Sequence, residues 1–339
     1  MRQAVGVVLG YDEVVRGVLP MTSAGPASDA IMETQPTSGS GKLPESNKVR
    51  DLLLQVGAVQ TGRIEVFSER TRDTPGLKVY RDRVSKVVFI DGHYVGDEEY
   101  VSGDYRQADM PLLAVRGRDH EELIDNERRY ARYRQFVAGR SIVDFGCGSG
   151  SFLRLARSCA RSLTGVELER QLAAGLIADG IPCHTDLGDV AGEQDVFFMF
   201  HCLEHLPDPM AILQGIRTRL KGKGAGLIVV EVPHARDFLL DRLASVAFRD
   251  FTLWSQHLVL HTRESLSLVL EHAGFIDIQI EGVQRYGLAN HMHWLSSQRP
   301  GGHKQPLSVF ETPELTGAYA QALARLDATD TLVAIARTS

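Results

Sequence analysis

Nowhere in the 339 residues does an apolar run approach the roughly 20 positions that a membrane-spanning helix requires. A mean hydropathy of −0.12 agrees with that, and no membrane association is expected. Cysteine is scarce: Cys147, Cys159, Cys183 and Cys202 show no C-x-x-C spacing, so they are expected to be reduced, buried thiols rather than a disulfide framework. Positive charge is in deficit. With 37 Lys+Arg against 43 Asp+Glu, the net charge of −6 supplies no broad field for a nucleic-acid backbone, so no nucleic-acid partner is expected. No signal sequence is expected either, because Asp12 and Glu13 end the apolar stretch 4–9 before an h-region forms, and the expected location is the cytoplasm. There are no internal repeats.

What is present divides into three parts. Residues 22–46 are rich in Ser, Gly, Pro and Thr with few aliphatic positions, so residues 1–47 read as a flexible leader. Residues 48–105 read as a small β-containing unit: VRDLLLQVG predicts a short helix, and IEVF, LKVY and KVVFIDGHYV predict strands through β-branched and aromatic enrichment. Residues 106–339 read as a Rossmann-like domain, entered through an amphipathic helix over 118–139. Its apolar runs SIVDFG, SLTGVEL, IPCHT, DVFFMF and AGLIVVEVP alternate with helical patterns, which implies right-handed βαβ crossovers and a parallel sheet. A helix over 265–273, the strand FIDIQIEGV, a helix over 313–326 and the closing strand TLVAIART follow. The fold class is therefore α/β, a doubly wound, mostly parallel seven-stranded sheet with an antiparallel last strand, plus the small N-terminal unit.

The strongest local signal is SIVDFGCGSGSFLRLA, a strand that ends in an acid, a glycine-rich turn, and a helix. Gly146, Gly148 and Gly150 allow positive φ and let a ligand lie against bare main chain. Such a ligand would sit where a strand's carboxyl end meets a helix N-terminus. At the end of the next strand, VELER sets Glu167 where a carboxylate can accept hydrogen bonds from both hydroxyls of a ribose. A dinucleotide site fits less well, since the third glycine of G-x-G-x-x-G would fall on Ser151, whereas here the pattern is G-x-G-x-G behind Asp144.

From residue 141 to the terminus the sequence resembles the class I S-adenosylmethionine-dependent methyltransferases, whose first motif has the form D/E-x-G-x-G-x-G. The resemblance implies S-adenosyl-L-methionine as cofactor. Asp144, Gly146, Cys147, Gly148 and Gly150 would flank its methionine part, and Glu167 with its neighbour Leu168 would meet the ribose. Asp186 and Leu187 would meet the adenine, and His201 and Cys202 would line the methionyl end. In LEHLPDP, Pro207 and Pro209 stand near the start of the next helix, and His205 reads as a structural hydrogen-bonding histidine.

Methyl transfer from a sulfonium is an in-line displacement, so a base and an acceptor pocket are expected opposite the glycine turn. Loops after the fourth and fifth strands offer His201, Glu231, His234, His257 and His261, of which His257, His234 and His201 are the candidate bases. EVPHARDFLL and FRDFTLWSQHLVLHTRESLSLVLEHAGF resemble a subset that methylates sugars, including deoxysugar C-methyltransferases, with the subset's histidine at His257 and its acidic neighbour replaced by Gln256. That replacement favours hydroxyl or amine methylation over carbon. KVYRDRVSKVVFID resembles the strand pair carrying C-x-x-C-G in that subset, but Asp82 and Ser85 occupy the cysteine positions and the four cysteines are dispersed, so no zinc or other bound metal is expected in the protein. Tyr100 and Tyr105 correspond to the mouth of the active site. Residues 284–304 read as an irregular insertion whose Arg285, Asn290, His291, His293, Arg299, His303 and Lys304, with Trp294 as a stacking face, are candidates for a phosphorylated or polyhydroxylated acceptor. The expected partner is a small-molecule sugar or nucleotide-sugar acceptor in polysaccharide or glycoconjugate biosynthesis. The alternatives are another small metabolite methylated on oxygen or nitrogen, or a non-catalytic adenosine-ligand-binding protein.

Overall fold

A computed structural model describes residues 46–103, 115–304 and 306–339, without the side chains of 115–121 and 303. The leader, apart from its last two residues, and Tyr105 lie outside the described residues, as does the side chain of His303. The first strands are β1 (Ile64–Ser68), β2 (Val79–Asp82) and β3 (Val88–Ile90), followed by β4 (Ser141–Phe145), β5 (Ser162–Val166), β6 (Cys183–His184), β7 (Val196–Phe200) and β8 (Leu227–Pro233). Then come β9 (Val259–Leu260), β10 (Phe275–Val283) and β11 (Thr331–Thr338). The helices are α1 (Val49–Gln55), α2 (Asp97–Ser102), α3 (Val115–Val137), α4 (Ser151–Ala156) and α5 (Arg170–Ala178), then α6 (Pro209–Arg219), α7 (Val246–Thr252), α8 (Arg263–His272), α9 (Leu288–Ser297) and α10 (Pro313–Arg325).

Seven strands form the main sheet in the order β10-β11-β8-β7-β4-β5-β6. Four of its six pairings are parallel, and the other two are antiparallel because β11 enters between β10 and β8. This is the expected doubly wound architecture with an antiparallel last strand. Period-two alternation explains why the central strands read as continuous apolar runs. In β7, Phe197 and Met199 enter the core on one face, while Val196, Phe198 and Phe200 enter the core on the other. Each such fully buried side chain contributes about 1.5–3 kcal/mol. Strand order reverses at β4, which has β5 on one side and β7 on the other, so a crevice opens at its carboxyl end.

The smaller sheet runs β1-β2-β3-β9 and is antiparallel throughout. Its last strand comes from far along the chain, so the N-terminal strands are completed by a segment that follows β8. Where the resembling sugar enzymes carry cysteines, the buried Asp82 instead accepts hydrogen bonds from the amides of Gln60, Val84 and Ser85 at 3.0, 2.8 and 2.9 Å. Although burial opposes its charge, these bonds hold its carboxyl below the usual range and tie the hairpin together.

Two local readings need correction. KVVFIDGHYV forms a strand only over β3, because the chain leaves the sheet at Asp91. The insertion 284–304 is not irregular: its centre is α9, which buries Ala289, Asn290, His291 and Trp294 on one face. Helical spacing of those positions was obscured by the density of polar residues among them.

Candidate functional site

A cavity of about 550 Å³ lies at the carboxyl ends of β4, β5 and β7. Its first end is built by the turn after β4. Gly146, Gly148 and Gly150 take φ of +75°, +54° and +77°, and the amides of Gly146 and Cys147 both bond the Val166 carbonyl, at 2.8 and 3.2 Å. A Cβ on Gly146 would come within 2.7 Å of Cys202 Sγ, so glycine is required for the close approach. Glu167 is buried at the end of β5, with its carboxylate oxygens accepting from Gly148 N at 2.7 Å and Glu169 N at 3.0 Å. One acid thus braces the turn and also faces the cavity.

Asp144 also lines the cavity, and it is nearly fully buried with no partner for Oδ1. Burial pushes its pKa up to about 7; nearby Arg129 opposes the rise, and Glu167 adds to it. An unpartnered buried carboxyl beside bare glycine backbone suits a cationic ligand. Asp186 caps the turn after β6 by accepting from Gly188 N, and it lines the wall with Leu168, Leu187, Cys147 and Cys202. Every cofactor candidate read from the sequence lines this cavity except Gly150, which supports the turn from behind at the start of α4.

Sequence reasoning had no ground for selecting α3 as part of the site. Glu122, Asn126 and Arg129 of that helix line the cavity. Ser149 bonds Glu122, and Arg129 lies over the Phe200 ring with 4.6 Å from Cζ to the centroid. Below them lies a dense charge network. Glu231, fully buried, accepts from Arg129 Nη2 at 2.6 Å, Arg129 Nε at 3.0 Å and Arg128 Nη2 at 3.0 Å. Its carboxyl resists burial, with Arg129 foremost among the groups holding its pKa well below the ordinary value. Charge at i, i+3 and i+4 along a helix is usually a solvated face, which is why this signal was hidden.

Arg285 belongs to that network and does not line the cavity. Its guanidinium forks onto Asp125, with Nε at 3.2 and 3.0 Å from the two oxygens, and its Nη1 lies 3.2 Å from His201 Nε2. Since arginine can only donate, His201 Nε2 accepts there and Nδ1 donates to Glu204 Oε1 at 3.1 Å. Protonated, the ring would instead turn its Nε2–H to Glu231 Oε1, 3.3 Å away. Burial and Arg285 disfavour that charge, but the bonds to Glu204 and Glu231 outweigh them and raise the His201 pKa.

The second end of the cavity is lined by Tyr94, Asp97, Tyr100, His205 and Trp254. Tyr94 donates to Asp97 Oδ1 at 2.6 Å, and the Tyr100 hydroxyl lies 3.5 Å from His205 Nδ1. His205 follows β7 in a short 3-10 turn, Leu203–His205, and α6 begins only at Pro209 behind the Asp208 cap. Its ring meets Trp254 at 5.7 Å and His257 at 5.0 Å between centroids. His257 therefore touches the site through His205 and does not line it. Burial lowers the pKa of His205 and, with His205 itself adding, that of His257 to about 3.

The remaining candidates are placed elsewhere. His234 is buried, with Nδ1 2.9 Å from the Thr329 carbonyl, and burial lowers its pKa to about 4. Asn290 accepts from Gly302 N at 3.2 Å, and His291 Nδ1 meets the Tyr319 hydroxyl at 2.7 Å. Trp294 is buried against Phe248 and Phe251, so it offers no stacking face. His293, Arg299 and Lys304 lie outside the cavity lining, the last two exposed.

Strand order, the glycine turn behind Asp144 and the Glu167 carboxylate define the class I S-adenosylmethionine-dependent methyltransferase fold. Residues 116–280, just under half of the chain, match the family model Methyltransf_23, described as a methyltransferase domain. The chain carries an S-adenosylmethionine-dependent methyltransferase domain. It is 28% identical over 103 residues to the ubiquinone biosynthesis O-methyltransferase of Acinetobacter baylyi, covering 26% of this chain and 42% of that protein. The enzyme of the same name from Ralstonia nicotianae is 27% identical over 115 residues, 31% of this chain and 48% of its own. The chain thus spans less than half the length of these curated relatives. A solved S-adenosylmethionine-dependent methyltransferase from Archaeoglobus fulgidus aligns with a TM-score of 0.47 at 20% identity, covering 69% of this chain and 99% of that one. The magnesium protoporphyrin IX methyltransferase of Synechocystis aligns with a TM-score of 0.46 at 12% identity, covering 72% and 98%. Among the described residues, no helix is long and apolar enough to cross a membrane.

Proposed function

We propose that the protein methylates a hydroxyl of a small, ring-shaped, polyhydroxylated acceptor, a sugar or nucleotide-activated sugar, in the cytoplasm. When bound, S-adenosylmethionine supplies an electrophilic methyl group on a sulfonium centre. Asp144 would balance its positive charge, Glu167 would accept from its ribose, and Asp186 with Leu187 would meet its adenine.

The observation that carries the acceptor reading is the composition of the cavity's second end, where Tyr94, Tyr100 and Trp254 line the wall with His205, whose ring meets those of Tyr100 and Trp254. Aromatic faces pack against the apolar side of a sugar ring, while Asp97 and Asn126 offer partners for its hydroxyls. His205 is the cavity-lining histidine that its surroundings keep neutral, so it can receive the proton a hydroxyl loses on attack. The buried Gln256 stands where the resembling carbon methyltransferases carry an acid, which supports oxygen as the methylated atom. A phenolic acceptor is the second reading, favoured by the name of the O-methyltransferase relatives.

Purified protein with labelled S-adenosylmethionine, offered nucleotide sugars and dihydroxyphenyl compounds separately, tests both. Label on a sugar hydroxyl is expected, with turnover cut by about 10²–10⁴-fold in His205→Ala and unchanged in His234→Ala. Label on phenols alone would replace the sugar reading by the second one. Tight cofactor binding without transfer to any acceptor would leave a non-catalytic binding protein.

A further inference from the structure

Behind His205, at the same end of the cavity, lies a donor set that a proton acceptor alone does not require. One carboxylate oxygen of Glu204 and one ring nitrogen from each of His205 and His257 lie within 4.8 Å of one another. Glu204 is fully buried, and its Oε2 has no hydrogen-bond partner. The His257 ring is half-buried, but its Nδ1 is shielded from solvent and has no hydrogen-bond partner either. Leaving such groups unsatisfied costs about 1–3 kcal/mol each.

The main chain fixes these positions. Leu258 N donates to the Glu204 carbonyl at 2.8 Å, which docks the segment after α7 onto the turn after β7. His257 N bonds the Trp254 carbonyl at 3.0 Å, and His205 N bonds the Cys202 carbonyl at 3.1 Å. An outer partner is in place as well: His201 Nδ1 holds the other Glu204 oxygen at 3.1 Å. Such partners orient ligands around a metal.

We propose that Glu204, His205 and His257 bind one divalent transition-metal ion of the zinc class, which meets the cavity on the side of His205. Two imidazoles and one carboxylate suit zinc or cobalt, whereas magnesium and calcium favour oxygen donors throughout. Three protein ligands leave one tetrahedral position for an outside oxygen. This site is distinct from the cysteine position in the β2–β3 hairpin, where Asp82 is spent on backbone amides. The inference rests on the hydroxyl reading above in one respect: the outside oxygen would be that of the acceptor, and the ion, by taking the His205 nitrogen, would make that hydroxyl more acidic in place of a proton transfer to His205.

Tag-free full-length protein is stripped with chelator and titrated with Co²⁺, following visible d–d absorption, and with Zn²⁺ by calorimetry. The expected result is one ion per chain with a tetrahedral cobalt spectrum. His257→Gln should weaken binding at least 10-fold and bleach the spectrum, and His257→Cys should restore binding with a sulfur-to-cobalt charge-transfer band. Unchanged S-adenosylmethionine affinity in both variants shows that they fold. Absence of saturable one-to-one binding, or the same affinity and spectrum in His257→Gln, would overturn the metal site, even if sugar hydroxyls are methylated. Metal binding with no methylated hydroxyl would overturn the acceptor reading while the ion site stands.

Discussion

Binding of S-adenosylmethionine should expel a proton from Asp144. In the ligand-free protein, burial holds this carboxyl near pKa 7, and its Oδ1 lacks a partner at the cavity wall. A cation placed beside it would favour the ionised form and draw the pKa back toward the ordinary carboxylate value of about 3.9. The binding-competent carboxylate is then almost fully formed at pH 8, half formed at pH 7 and about 1% formed at pH 5. The dissociation constant should therefore rise about 100-fold from pH 8 to pH 5, equivalent to about 2.7 kcal/mol. Calorimetry at pH 6 in buffers of different ionisation enthalpy should detect release of roughly one proton per cofactor bound. Asp144→Asn should bind more weakly at pH 8, lose the proton release and flatten the pH profile. Without ligand, the sign reverses for folding. Because the folded pKa is raised above the unfolded value of 3.8, this group's stabilisation is fully present below about pH 4 and is lost as pH rises through about 7. A flat wild-type affinity between pH 5 and 8, with no proton released, would refute the reasoning.

Glu167→Ala should raise the cofactor dissociation constant by about 10–150-fold, since hydrogen bonds to a charged group contribute about 1.5–3 kcal/mol; unchanged calorimetric affinity would remove Glu167 from the site. Gly150→Ala should destabilise the fold by about 2–4 kcal/mol, because the residue has φ of +77° and an added Cβ would run into Leu176. Chemical denaturation checks that value. Glu231→Gln leaves Arg128 and Arg129 without their buried counter-charge and should cost about 3–5 kcal/mol in the same assay.

The sequence by itself determined the sheet, the glycine turn and the acid that follows each of the first two strands of that sheet. These depend on spacing along one stretch of chain: apolar runs of strand length, glycines at positions of positive φ, and carboxylates at strand ends. A local cause leaves a local trace. His205 and His257 illustrate the opposite case. Each reads alone as an ordinary histidine, and only the docking of the segment after α7 onto the turn after β7 brings them ring to ring beside Glu204. Trp254 and α3 enter the cavity wall for the same reason, through packing between segments remote in the chain. Arg285 had the chemistry of an acceptor clamp, yet the folded chain set Asp125 beside it, and a partly buried ion pair satisfies a guanidinium that would otherwise be available to a ligand. Sequence therefore fixed which backbone could cradle a ligand, whereas tertiary structure decided which side chains face it, because burial and ion pairing depend on neighbours that chain order does not specify.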